Sequence, residues 1–185
     1  MTILHTARLR LEPFDSHHFD GLQAMNRLPE VARYLSGQPE TPEQTQAAIA
    51  RVQRCWAAWG TSWWAFIEYD SERLVGAGCI QYLRRDAVPP PDPMDQCSQP
   101  MEIGWRLHPD VWHRGLATEA ARRMGRFAFE SFPITELLAV RHVDNVASGQ
   151  VMDRLGMQER GLETWYGATL ATHVLSRERW QQLQP

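Results

Sequence analysis

The stretch Trp112-His113-Arg114-Gly115-Leu116-Ala117-Thr118-Glu119-Ala120 limits this chain more than any other, because few backbone paths can accommodate it. It follows a strand-like run, Met101 to Leu107, that Pro109 ends. It leads into Ala120, Met124, Phe127 and Ala128, which recur at helical spacing. The pattern is strand, tight turn, helix. In that geometry the N–H groups of the turn and the first helical turn converge on one spot. The helix dipole adds positive potential there, so the segment reads as a cradle for a phosphate. Turns of this kind serve nucleotides, dinucleotides and coenzyme A alike, and an ordinary tight turn makes the same pattern. A P-loop fits badly, since it needs a Lys followed by Ser or Thr and the chain contains no Lys. A dinucleotide fingerprint needs three spaced glycines, and Gly115 is the only one in the turn.

About thirty residues on, Asp144-Asn145-Val146-Ala147-Ser148-Gly149-Gln150-Val151-Met152-Asp153-Arg154-Leu155-Gly156-Met157 follows the apolar run Leu137 to Val140. The pair of motifs, W-x-x-G-x-A-T-E-A and then N-x-A-S-x-x-V-M-x-x-L-G-M, resembles the acetyl-CoA site of the GNAT superfamily of N-acyltransferases. Within it, the pair is most similar to the branch of the ribosomal-protein N-terminal acetyltransferases. Thr6-Ala7-Arg8-Leu9-Arg10-Leu11 resembles the family's opening strand. Trp165-Tyr166-Gly167 through Val174-Leu175-Ser176 resembles its closing strands, so the likeness covers nearly the whole chain. It implies an α/β (α+β) fold with a mixed, mostly antiparallel central sheet flanked by helices. Residues 1–185 are expected to form a single domain, with a core over about 7–180. The implied function is an acetyl-CoA-dependent N-acetyltransferase.

Composition agrees with this class. A chain of 185 residues can bury a core of its own, and 43% apolar with 22% charged residues is ordinary globular usage. No run approaches the roughly 18 continuous apolar residues of a membrane span. The first residues lack the apolar centre of a secretory signal, so the expectation is a cytoplasmic protein without a membrane partner. Cys55, Cys79 and Cys97 are odd in number and widely spaced, which encodes neither a disulfide framework nor a zinc site, and no metal is expected. A net charge of −3 argues against nucleic acid. All nineteen basic residues are Arg. Arg114, in the turn itself, is read as a contact for a phosphate or for the adenosine end of the coenzyme, whereas Arg122, Arg123 and Arg126 are read as a solvated helix face.

A coarse pass along the chain predicts a strand over Arg8 to Glu12, a helix from Ser16 to Met25 and a helix-like turn through Glu30 to Leu35. Thr41-Pro42-Glu43 opens a longer helix with an apolar stripe of Ala48, Val52, Cys55, Trp56 and Trp59, and Gly60 ends it. Trp63 to Glu68 and Val75 to Leu83 read as a hairpin. Asp86 to Pro100, with prolines at 89, 90, 91, 93 and 100, reads as an exposed loop near the acceptor side.

The resemblance implies direct transfer of an acyl group from a thioester to an amine. The pantetheine arm would pair with the strand before the cradle, here Ile103, Gly104, Trp105, Arg106 and Leu107. The turn of Trp112, His113, Arg114, Gly115, Leu116, Ala117 and Thr118 would hold the pyrophosphate. Trp112 is typical of the branch, while the family often has glycine where His113 stands. Asn145 resembles an asparagine that bonds the pantetheine amides, and is equally a favoured N-cap. Many members carry a tyrosine where this chain has Met152, which has no proton to give. Ser148, one turn earlier, is the proton donor the ribosomal-protein branch implies, with a capping role as its alternative. Glu102 is the first choice of base, because members often use a carboxylate on this strand. Strand alternation puts Glu102, Gly104 and Arg106 on one face, which also permits a Glu102 to Arg106 ion pair. His142 and Asp144 are the alternatives.

Acceptors in the family enter between the early helices and the last hairpin, so Arg33, Tyr34, Trp165 and Tyr166 are candidates to line the entry, each of them equally a core or rim residue. The acceptor is read as a protein or peptide α-amine. A small-molecule amine such as an antibiotic, amino acid or polyamine, and a non-catalytic acyl-CoA-binding module, are the other readings. A monomer or a homodimer is expected.

Overall fold

The computed structural model describes residues 1–35 and 37–183. Period-two segments rich in aromatic and β-branched residues become the strands β1 (Leu4–His5), β2 (Leu9–Pro13), β3 (Trp63–Glu68), β4 (Leu74–Tyr82), β5 (Met101–Leu107), β6 (Glu136–Arg141), β7 (Gln158–Trp165) and β8 (Ala168–Ser176). They form one sheet in the order β1-β2-β3-β4-β5-β6-β8-β7. Neighbours are antiparallel except β5 and β6. The helices are α1 (Phe19–Asn26), α2 (Pro29–Ala32), α3 (Pro42–Trp59), α4 (Leu116–Ser131), α5 (Val146–Arg154) and α6 (Arg177–Gln182). This is the mixed, mostly antiparallel sheet with flanking helices that the motifs implied.

The one parallel pair comes apart. β5 meets β6 at a single register position, Glu102 with Leu138, whereas on its other side it is paired with β4 from Met101 through Leu107. Past Glu102 the edge of β5 that faces β6 is open, and an open edge offers N–H and C=O groups to whatever lies beside it.

Helix α4 packs on β4 and β5. Leu116, Ala120, Ala121, Met124 and Ala128 are fully buried in one core with Ile103 and Leu107. Gly78 in β4 makes this approach possible, since a Cβ there would lie 2.5 Å from Phe66 and 2.7 Å from Met124. Truncating Met124 to Ala would cost about 2–5 kcal/mol, and the same packing aims the N-terminus of α4 at the gap beside β5.

Local signals placed α3 well. Thr41 Oγ1 accepts from Gln44 N at 3.3 Å, Gln44 Oε1 accepts from Thr41 N at 2.8 Å, and Gly60 ends the helix at φ +71°. The buried stripe starts a turn earlier than the apolar pattern predicts, at Thr45 and Ile49, while Ala48 is half-buried. Thr45 can be buried because its hydroxyl donates to Gln23 Oε1 at 2.6 Å. The predicted helix from Ser16 begins as a 3₁₀ turn over Ser16–His18. There Glu12, His17 and His18 bring potential metal-ligand atoms within 4.8 Å of one another. His18 Nδ1, however, accepts from Asp15 N at 3.0 Å, so the neutral ring carries its proton on Nε2 and donates to Glu12 at 2.9 Å. That ring is a cap with no lone pair left over for a cation.

The proline-rich stretch is less exposed than predicted. Pro93–Gln96 forms a 3₁₀ turn, Trp59 Nε1 donates to Pro93 O at 3.0 Å, and the buried Gln96 side chain donates to Tyr82 O. β1 and α6 were not predicted, being too short for periodicity to register. No helix among the described residues is long and apolar enough to cross a membrane.

Candidate active site

Gly115 is the N-cap of α4 at φ +79°, and His113 is also left-handed at φ +61°. Glycine takes that conformation freely, whereas a residue with a Cβ carries roughly 1–2 kcal/mol of strain. The departure from the family's frequent glycine therefore falls where its absence is felt. Among the described residues, nothing accepts from the backbone N–H groups of residues 113–118, and the first helical bond runs from Glu119 N to Gly115 O at 3.1 Å. A row of unbonded donors at a helix N-terminus is an anion site in waiting. Its face is open, since a Cβ on Gly115 would meet only Arg8 Nη2, at 3.6 Å.

The cations around this row differ from those expected. Arg114 is turned away, with Nη2 donating to Glu68 Oε1 at 2.6 Å, and it is not part of the cleft wall. Arg8 takes the place beside the cradle. Its Nε donates to Glu119 Oε2 at 2.7 Å and its Nη1 to Arg114 O at 2.9 Å, while the Thr6 hydroxyl donates to Glu119 Oε1 at 2.6 Å. Burial pushes the Glu119 carboxyl up, and the bonds from Thr6 and Arg8 more than reverse this, holding it below the ordinary carboxylate value. Arg8 stands more than 100 residues before the cradle, so no local motif could have flagged it. Arg122 and Arg126 are exposed, as the reading of a solvated face requires, and with the half-buried Arg123 and with Arg154 they also line the cleft. Arg123 Nη1 is buried with no partner among the described residues, a donor left for a ligand.

The cleft has a volume of about 1290 Å³. Its wall includes Trp105, Arg106 and Leu107 of β5, the cradle from Gly115 to Thr118, Asn145 and Ser148 of the next motif, and Trp180 of α6. Trp112 is exposed at its rim, its Nε1 donating to Leu107 O at 2.9 Å and tying the turn to the end of β5. Ile103 is a core residue, and Gly104 lies against Cys79 of β4, so neither side chain position reaches the wall. Asn145 caps α5, Oδ1 accepting from Ser148 N at 3.1 Å. Asn145 Nδ2 and Ser148 Oγ bond to no described residue, so capping leaves both groups available. Met152 is 1% exposed, inside the core.

The Glu102 to Arg106 ion pair does not form. Arg106 Nε donates to Asn26 Oδ1 of α1 at 3.0 Å, and the guanidinium lies 4.4 Å from the Trp63 ring centroid. Glu102 is 5% exposed and accepts from Gln81 Nε2 at 2.6 Å and from the Tyr166 hydroxyl. Burial pushes its carboxyl above the ordinary value, and these two bonds oppose the rise. His142 and Asp144 are exposed, with His142 Nδ1 accepting from Asp144 N at 3.3 Å. Of the residues expected at the acceptor entry, Tyr34 lines the cleft and its hydroxyl donates to Asp144 O at 3.3 Å. Arg33 is exposed, its guanidinium 5.0 Å from the Tyr34 ring. Trp165 takes the core alternative: it is fully buried, clustered with Leu83 and Leu138. Tyr166 is drawn down onto Glu102.

A mostly antiparallel sheet whose one parallel pair opens beside a helix N-terminus is the architecture of a GNAT-type transferase. The chain belongs to the GNAT acetyltransferase family: the acetyltransferase (GNAT) domain matches residues 8–158. It is an N-acetyltransferase, and acetyl-CoA is the family's co-substrate. It is 27% identical to the FsC-acetyl coenzyme A-N(2)-transacetylase of Aspergillus fumigatus, over 98% of this chain and 79% of that protein. Among solved structures, the acetyltransferase from Agrobacterium tumefaciens str. C58 superposes with a TM-score of 0.78 at 20% identity, over 96% of this chain and 95% of that one. The ribosomal L7/L12 alpha-N-protein acetyltransferase RimL, in complex with coenzyme A, superposes with a TM-score of 0.75 at 14% identity, over 96% and 99%.

Proposed function

We propose that the chain moves the acetyl group of acetyl-CoA directly to a primary amine, the α-amine of a protein or peptide, as in the ribosomal-protein branch. The observation that carries the cofactor side is the open edge of β5 leading to the unbonded N–H row of residues 113–118. The edge fits the amides of the pantetheine arm, Asn145 Nδ2 adds a donor, and the cradle with Arg8 holds the pyrophosphate. Arg122, Arg123 and Arg154 receive the adenosine end. Ser148 Oγ supplies the proton to the departing thiolate. Glu102, buried where β5 and β6 separate, takes the proton of the amine.

The choice of an α-amine rests on proton affinity. A carboxylate, even one raised by burial, is a weak base. The unperturbed α-amine, with a pKa of about 8 against about 10.4 for Lys, asks roughly 3 kcal/mol less of it. Purified enzyme would be incubated with acetyl-CoA, N-terminal peptides and their N-blocked, Lys-containing counterparts, and the acetyl group located by mass spectrometry. Modification of the free N-termini is expected. Preferential acetylation of Lys in the blocked peptides would sink the α-amine reading. A small-molecule amine is the second reading, favoured by the name of the Aspergillus fumigatus relative, and turnover of small amines with no peptide modified would establish it.

A further inference from the structure

The hydrogen bonds around Glu102 all have one polarity. Trp63 Nε1 donates to Gln81 Oε1 at 2.9 Å, which fixes the amide so that its NH₂ faces Glu102. That group donates to Glu102 Oε1 at 2.6 Å and to the Tyr166 hydroxyl oxygen at 3.2 Å. Because the Tyr166 oxygen already accepts from Gln81, its own proton goes to Glu102 Oε1. Three side chains from β3, β4 and the β7–β8 turn thus pass donors in one direction, and the series ends on an oxygen that receives them best when ionised.

Tyr166 is itself held in place. Its N–H donates to Arg84 O at 2.9 Å, the Arg84 guanidinium lies 4.5 Å from its ring centroid, and Gly167 N donates to Arg85 O at 2.7 Å. The residue adopts φ +55°, a left-handed conformation that costs energy for a side chain with a Cβ and persists only where the surroundings impose it.

We propose that Tyr166, with Gln81, is the positioning residue of Glu102: it orients the buried carboxylate and keeps it ionised, so that the β7–β8 turn decides whether the site has a working base. The proposal rests on the reading of Glu102 as the base, although its first test needs no turnover. The other groups that bear on Glu102 are Arg84 after β4, which favours its charge, and Cys79 of β4, whose thiol burial keeps protonated. Arg106, on the same strand face, is engaged by Asn26 and Trp63.

The test is a ¹³C NMR titration of protein labelled at the Glu side-chain carboxyl, with the Glu102 signal identified by its loss in Glu102→Gln. Removing one charge-assisted hydrogen bond should raise the Glu102 midpoint by about one pH unit in Tyr166→Phe, a tenfold change in proton affinity. Gln81→Met should move it the same way, and carries the test if the first variant does not fold. With any amine the enzyme turns over, the acid limb of kcat/KM should rise in step while KM for acetyl-CoA stays unchanged. A midpoint unmoved in both variants overturns the proposal. A shifted midpoint with an unshifted kinetic limb upholds the positioning and instead removes Glu102 as the base.

Discussion

The proposed cradle at residues 113–118 is made from one run of backbone, whereas the proposed proton-handling end gathers Glu102, Gln81 and Tyr166 from segments up to 85 residues apart. The first owes its chemistry to φ and ψ at Gly115 and His113 and to the helix that follows. The second owes its chemistry to which side chains the sheet register puts opposite one another, Gln81 facing Glu102 across β4 and β5. A backbone site is robust to most side-chain changes and vulnerable at its glycine. A side-chain site is vulnerable at every member.

That contrast predicts separable losses. The largest should follow Glu102→Gln: kcat falling by about 10²–10⁴, the usual range for a general base, with the Kd of acetyl-CoA unchanged by calorimetry. An equal loss of affinity would break the division between the two ends. Next is Ser148→Ala, expected to lower kcat by roughly 10–100-fold at constant coenzyme affinity. Asn145 caps α5 through the Ser148 N–H and not through its hydroxyl, so the variant keeps the helix start and isolates the chemistry. An unchanged kcat would leave Ser148 as a helix residue only.

On the cradle side the expected effects are smaller and fall on binding. Gly115→Val should weaken acetyl-CoA by about 5–30-fold, the equivalent of 1–2 kcal/mol, with kcat at saturation little changed. Gly115→Asn, which tolerates the left-handed conformation, separates strain from crowding, and equal affinity in a folded valine variant would remove the cradle assignment. Least is Glu119→Gln, which loosens Arg8 and should weaken the coenzyme about threefold at neutral pH. The Glu119 carboxyl is held below its unfolded value, so its clamp is fully present above the ordinary carboxylate pKa and is lost as pH falls through the lowered one. Native affinity should drop over that acid interval, and the drop should be absent in Glu119→Gln.

Much of this was legible in the sequence, for local reasons. Thr41, Gln44 and Gly60 announce the ends of α3, Gly115 and Gly156 mark turns that both take positive φ, and Asn145 stands at the start of α5 as a cap must. The misreadings were of another kind. Arg114 lies in the motif yet pairs with Glu68, while Arg8 lies outside it and reaches Glu119. Trp165 lies beside the expected entry yet is buried, because the alternation of β7 puts it on the face of Gly161 and Glu163, opposite the exposed Leu162 and Thr164.

The sequence by itself determined the periods of the strands and helices, the caps, and the strand-turn-helix of the segment around Gly115. Each is settled by residues within one or two helical turns of one another, where backbone sterics and nearest hydrogen bonds dominate. Tertiary structure alone decided that β5 parts from β6 beyond Glu102, which arginines face the cleft, and that Tyr166 and Gln81 close on one carboxylate. Those outcomes depend on sheet register and helix packing, in which a shift of one residue sends every side chain to the opposite face.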